Sequence, residues 1–140
     1  MGILNVRRVT SLADNNPYDK SSFQIAKRFA MPHLRFRAVT LDTLQQVSGP
    51  LLAELCELTG GKPEFVTMER VESCWIRNGE PEAGFPFVEL HWFERPQEMQ
   101  DAAARLITRH LKQVLGEQTY VVVQVIPLVK SAYYSNGEHY

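Results

Sequence analysis

His33-Leu34-Arg35-Phe36-Arg37-Ala38 alternates polar and apolar side chains one for one, and Thr40 follows two residues later. Leu34, Phe36 and Ala38 share one side of an extended chain while His33, Arg35 and Arg37 share the other, the two-residue period of a half-buried strand. Thr40 then offers a helix N-cap, because its hydroxyl can accept an orphan amide hydrogen from the first turn. Leu44, Val47, Leu51, Leu55 and Leu58 follow at steps of three and four, so one apolar stripe runs along a helix that closes at Gly60-Gly61. Ser48-Gly49-Pro50 lies inside that stripe. An interior proline removes a helical hydrogen bond at a cost of ~3 kcal/mol, so a kink is expected there.

The pattern then repeats. Lys62-Pro63 leads into Phe65 to Ile76, rich in Val, Thr, Phe and Trp, which reads as a second strand. Asn78-Gly79-Glu80-Pro81 is turn chemistry. Phe85 to Phe93 alternates again, with Val88, Leu90 and Trp92 on one side and Phe87, Glu89 and His91 on the other. Pro96 fits the first turn of a second helix with the face Met99, Ala102, Ala103, Leu106, Leu111 and Val114, ending at Gly116. Tyr120 to Val129 is a nearly unbroken apolar strand, and the tail Ser131 to Tyr140 has the makeup of a short edge ribbon.

Strand, helix, strand occurs twice, each helix crossing between potentially parallel strands. The expected fold is α+β: a two-layer sandwich of two βαβ units, with a four-stranded mixed sheet and two helices on one face. Two helices cover only one face, yet the last strand is apolar on both sides. The second face therefore needs cover, and other copies of the same chain supply it most economically. A homo-oligomer is expected on this ground. Arg35, Arg37, Glu89 and His91 share the open side, which suits either a polar-lined interior or salt-bridged interface, or an ordinary solvated face.

The 140 residues and 44% hydrophobic content suffice for one core. A net charge of -1 provides no broad basic field for nucleic acid or an anionic membrane. No run approaches the ~18 apolar residues of a membrane span. Arg7 and Arg8 stand behind the short apolar stretch at the start, the reverse of a signal peptide, so the expected address is the cytoplasm. Cys56 and Cys74 lack metal-ligand or redox spacing and read as small buried hydrophobes in a reducing compartment. His33, His91, His110 and His139 lie on separate elements without metal-site spacing, so no metal is expected.

Residues 1–30 differ in character from the rest. They carry Arg7, Arg8, Lys20, Lys27 and Arg28 against Asp14 and Asp19, with no clean period. Three origins compete: an arm packed on a partner subunit, an upstream start codon, or residues carried over from cloning, the last two being favoured. Met31-Pro32-His33 stands at the junction. A proline behind an initiator methionine becomes a first residue with a basic secondary amine, whereas an internal proline has an amide nitrogen without basicity. Pro32 thus reads either as a proton carrier or as a proline tolerated at a strand start.

Met31-Pro32-His33 before a strand, Leu58-Thr59-Gly60-Gly61-Lys62-Pro63 at a helix end, and Thr119-Tyr120-Val121 at the opening of the last long strand resemble the tautomerase superfamily. That superfamily includes macrophage migration inhibitory factor and 5-carboxymethyl-2-hydroxymuconate isomerase. The likeness runs from Met31 onward, dividing the chain into a 1–30 extension and a 31–140 tautomerase-like domain, and is strongest to small bacterial members of unassigned function. It implies a trimer and, for Pro32 as first residue, keto-enol tautomerase or isomerase chemistry on a small carboxylated molecule. Lys62, Arg70 and Arg95 match or lie near cations that hold substrate carboxylates, though Lys62 has one extra glycine before it and Arg70 is displaced by about two residues. Tyr120 matches a pocket aromatic, whereas Val122 replaces a polar asparagine. The resemblance calls for no cofactor. The alternative function is a catalytically silent homo-oligomeric binding or scaffold module.

Overall fold

The computed structural model describes residues 31–139. The elements are β1 (His33–Arg37), α1 (Leu41–Thr59), β2 (Thr67–Val71), β3 (Trp75–Arg77), β4 (Glu80–Glu82), β5 (Phe87–Phe93), α2 (Gln97–Leu115), β6 (Val122–Leu128), β7 (Tyr134–Ser135) and β8 (Glu138–His139). The main sheet has the order β2-β1-β5-β6. β1 and β2 are parallel, β5 and β6 are parallel, and the central β1–β5 pair is antiparallel. Two βαβ units are therefore joined back to back in a mixed sheet, the expected α+β architecture.

Both helices cover the same side. Leu34 and Phe36 of β1 pair in register with Leu90 and Val88 of β5, and all four are fully buried. Leu44, Val47, Leu51 and Leu55 of α1 and Ala103, Ile107 and Leu111 of α2 close over them in one apolar cluster. The stripe on α1 is the one its spacing predicts. On α2 the buried line is Ala103, Ile107, His110 and Leu111, while Val114 is exposed, so the face is rotated from the expected one. His110 is admitted because its ring reaches Glu54 Oε2 on α1 at 2.5 Å. The carboxylate only accepts, so Nε2 carries the proton.

Thr40 caps α1 as expected, its Oγ1 accepting from Thr43 N at 3.1 Å, and Gly60 ends the helix with φ 69°. Pro50 does not terminate α1, which continues through it for two more turns. The expected second strand is divided. Phe65 belongs to a 3-10 turn (Pro63–Phe65) begun by a proline that lacks an amide hydrogen, and β2 starts only at Thr67. Trp75–Arg77 turns back on Glu80–Glu82, because Asn78 (φ 50°) and Gly79 (φ 80°) form a two-residue turn that pairs the hairpin locally. Cys74 falls in the resulting break and is exposed, and Cys56 is half-buried, so neither cysteine is the buried hydrophobe expected. β5 starts at Phe87 and β6 at Val122, two residues later than their apolar runs. The tail forms the small β7–β8 ribbon. Among the described residues no helix is long and apolar enough to cross a membrane.

Phe36 sits at the centre of this arrangement with no exposed surface. Phe36→Ala is expected to cost about 3–5 kcal/mol, read as a shift of the urea unfolding midpoint with little change in slope.

Candidate functional site

The sheet register sorts the candidate residues into two groups. Pro32 directly precedes β1 and is fully buried, and its carbonyl accepts the amide of Thr67 at 3.0 Å. Lys62 immediately precedes the 3-10 turn that leads into β2, which runs parallel to β1, so it stands at the same end. β5 runs the opposite way and places Arg95, two residues beyond Phe93, at that end too. Arg95 Nε is buried and lacks a hydrogen-bond partner among the described residues. Pro32, Lys62 and Arg95 thus share one end of the sheet.

Arg70 and Tyr120 lie at the other. Arg70 pairs with Phe36, four residues along β1 from Pro32, a separation of roughly 13 Å at the rise of an extended strand. Its Nε donates to the Val39 carbonyl at 3.1 Å and it stands 3.3 Å from Glu72 Oε1, so its head group is already engaged. It lines a cavity of about 700 Å³ together with Thr40, Glu72 and Cys74. Tyr120 precedes Val122, which pairs with Phe87 at the Arg37 end of β1. The Tyr120 ring is 67% exposed and meets Phe85 edge-on at 5.0 Å. Within one chain the five residues do not converge.

The sheet face away from the helices carries a continuous polar network. Arg35 Nε donates to Glu69 Oε1 at 2.6 Å, and its NH1 stands 3.5 Å from Glu89 Oε2. Arg37 NH1 donates to Glu89 Oε1 at 2.7 Å. His33 donates through Nε2 to the Glu69 carboxylate at 3.1 Å, and its Nδ1 lies 2.6 Å from the Thr67 hydroxyl. His91 Nε2 reaches Glu89 Oε2 at 3.1 Å. The hydrogen bond from Arg37 holds the Glu89 carboxyl below its ordinary value of 4.5, and those from His33 and then Arg35 do the same for Glu69. Beside this network on the same face lie Phe87, Val122, Ile126 and Leu128, all half-buried. Among the described residues no group of three His, Cys, Asp or Glu side chains is arranged to hold a metal ion.

A family model described as a domain of unknown function (DUF1904) matches residues 31–139. The chain belongs to this DUF1904 family. A protein of unknown function from Vibrio cholerae is similar at 35% identity with a TM-score of 0.73, over 93% of this chain and 98% of that one. A fused 4-OT trimer shares the fold at 12% identity and a TM-score of 0.64, covering 76% of this chain and 94% of that one. A macrophage migration inhibitory factor-like protein from Entamoeba histolytica does so at 13% identity and 0.59, over 79% and 99%. None of the curated proteins matches the sequence. The DUF1904 chain therefore has a tautomerase-like fold.

His33 and His91 are directly opposed in β1 and β5, with ring centroids 6.2 Å apart, a meeting that residue spacing alone did not reveal. Glu69 falls inside the expected second strand, but its place beside Arg35 and His33 follows only from the parallel register of β1 and β2. The antiparallel pairing of the two alternating strands was the signal that would have found the first. Because Glu69 and Glu89 have lowered folded values, their contribution to stability is present above about pH 4.5 and lost as pH falls through those values. Glu89→Gln is expected to cost about 1 kcal/mol at pH 7 and to flatten the acid limb of a plot of urea midpoint against pH.

Proposed function

We propose that the chain works as a homotrimeric tautomerase or isomerase of a small carboxylated enol or keto acid, with Pro32 as proton carrier when it is the first residue. The observation that carries this reading is the position of Pro32: buried at the head of β1, with Lys62 and Arg95 at the same end of a tautomerase-like fold. A free α-amino group titrates at ~7.7–8.0, and burial disfavours its charged form, which moves it towards neutrality where a base works best. In this reading residues 31–140 are the tautomerase-like domain and residues 1–30 an extension, in keeping with a family match that begins at 31.

Threefold association supplies what one chain lacks. A cyclic trimer joins unlike surfaces of neighbouring copies. Arg70 and Tyr120 of one copy then meet Pro32, Lys62 and Arg95 of the next, and lysine or arginine pairs there hold the substrate carboxylate by charge-assisted hydrogen bonds. The same ring covers Phe87, Val122, Ile126 and Leu128. The trimeric 4-OT relative supports this number of copies. A second reading, a catalytically silent homo-oligomeric binding or scaffold module, is favoured by the peptide bond from Met31 to Pro32, which leaves an amide at the critical nitrogen.

Mass spectrometry of the protein from its own cells is expected to find Pro32 at the N-terminus. That form is expected to ketonise phenylenolpyruvate, with Pro32→Ala reducing kcat/KM by at least about 100-fold. Sedimentation is expected to give the mass of three chains. Loss of no activity in Pro32→Ala, or a working protein that retains Met1, would leave the silent module as the function.

A further inference from the structure

Beyond the level of Pro32, the ends of β5 and β6 enclose a second cavity, of about 550 Å³, lined by Phe93, Glu94, Pro127, Leu128, Val129 and Lys130. That volume lies within the usual range for small-molecule sites. Its floor is apolar: Phe93 is 4% exposed and its ring is met edge-on by Tyr133 at 5.2 Å. Val129, by contrast, is 63% exposed, an apolar wall with solvent against it. Lys130 follows in a short 3-10 turn (Lys130–Ala132) that brings its Nζ to 5.9 Å from the Phe93 ring centroid. Lys130 is exposed and no ion pair engages it among the described residues, so its ammonium, close to the aromatic face of Phe93, exchanges only water for a ligand.

An apolar trough with one cation at its rim selects an amphipathic anion. We propose that this cavity binds a small monocarboxylate with an apolar body, Lys130 holding the carboxylate while Leu128, Val129 and Phe93 take the body. Glu94 sets the charge limit. Glu94 lines the same cavity, so a second negative charge on the ligand meets repulsion where the first meets Lys130. Extending the β1–β5 register by one residue sets Pro32 beside Trp92, adjacent to Phe93 in the cavity floor. As a statement about substrate the proposal rests on the role of Pro32 given above; as a binding site it stands without it.

Three six-carbon probes separate the contributions: hexanoate, its neutral counterpart hexanamide, and adipate, which adds a second carboxylate. Titrated into the full chain, hexanoate is expected to shift the backbone amide signals of residues 93–94 and 128–130 in NMR spectra, and to bind about tenfold more tightly than hexanamide. Lys130→Ala is expected to remove that tenfold preference, Lys130→Arg to keep it, and Glu94→Gln to bring adipate closer to hexanoate. Equal affinity for hexanoate and hexanamide, no shifts at these residues at 50-fold molar excess, or an unchanged preference in Lys130→Ala would each overturn the site. Hexanoate binding by a chain that begins at Pro32 yet fails to ketonise phenylenolpyruvate counts against the role of Pro32 alone, whereas phenylenolpyruvate turnover indifferent to Lys130→Ala counts against this site alone.

Discussion

The antiparallel register between β1 and β5 is the constraint on which the rest depends. It aligns Leu34 with Leu90 and Phe36 with Val88, so four fully buried side chains meet on the helix side of the sheet. The same register aligns Arg35 with Glu89 and His33 with His91 on the opposite side. A slip of β1 by one residue would drive Arg35 and Arg37 under the helices and expose Phe36, which is why the alternating pattern tolerates only one pairing. Burial on one face and charge pairing on the other therefore reinforce each other. Each βαβ unit is parallel within itself, and only this central seam holds the two together in the sheet.

From that seam follows the separation of the candidate residues. Because β1 and β2 run together while β5 runs against them, the start of β1, the entry to β2 and the exit of β5 all gather at one end. Pro32, Lys62 and Arg95 are placed there by topology, not by proximity in the chain. The opposite end receives Arg70 and Tyr120. In the proposed ring the two ends become complementary halves of one pocket, and the half-buried apolar residues on the open face acquire cover in the same step. In that ring assembly and site completion are one event, since among the described residues of one chain the candidate residues stand at two separate ends of the sheet.

The polar network on the open face has a different character from the apolar layer behind it. Two carboxylates serve two arginines and two histidines, and Glu89, with a side chain only 14% exposed, sits at its centre. Desolvating such a group further at an interface is tolerable because its partners travel with it. The Lys130 rim is the reverse case: a cation that no carboxylate among the described residues pairs, near an aromatic ring at the edge of an apolar trough. Paired charges in the network stabilise the fold, and in the proposed site Lys130 is left to the ligand.

Periodicity and capping chemistry made most of the fold legible from residues alone. The alternation in His33 to Arg37, the threonine at position 40 and the leucine stripe of α1 are local patterns, and each folded as its spacing requires, whereas Ala38 leaves the strand with φ 55°. The doubled strand-helix-strand order sufficed for the α+β sandwich and its mixed sheet. What remained hidden depended on partners far along the chain: the hairpin that takes Trp75–Arg77 away from β2, the rotation of α2 that buries His110 against Glu54, and the meeting of His33 with His91. The division of Pro32, Lys62 and Arg95 from Arg70 and Tyr120 belongs to the same class. Spacing along a chain encodes which side of an element a residue occupies, but which elements face one another is decided only when the whole apolar layer is buried at once.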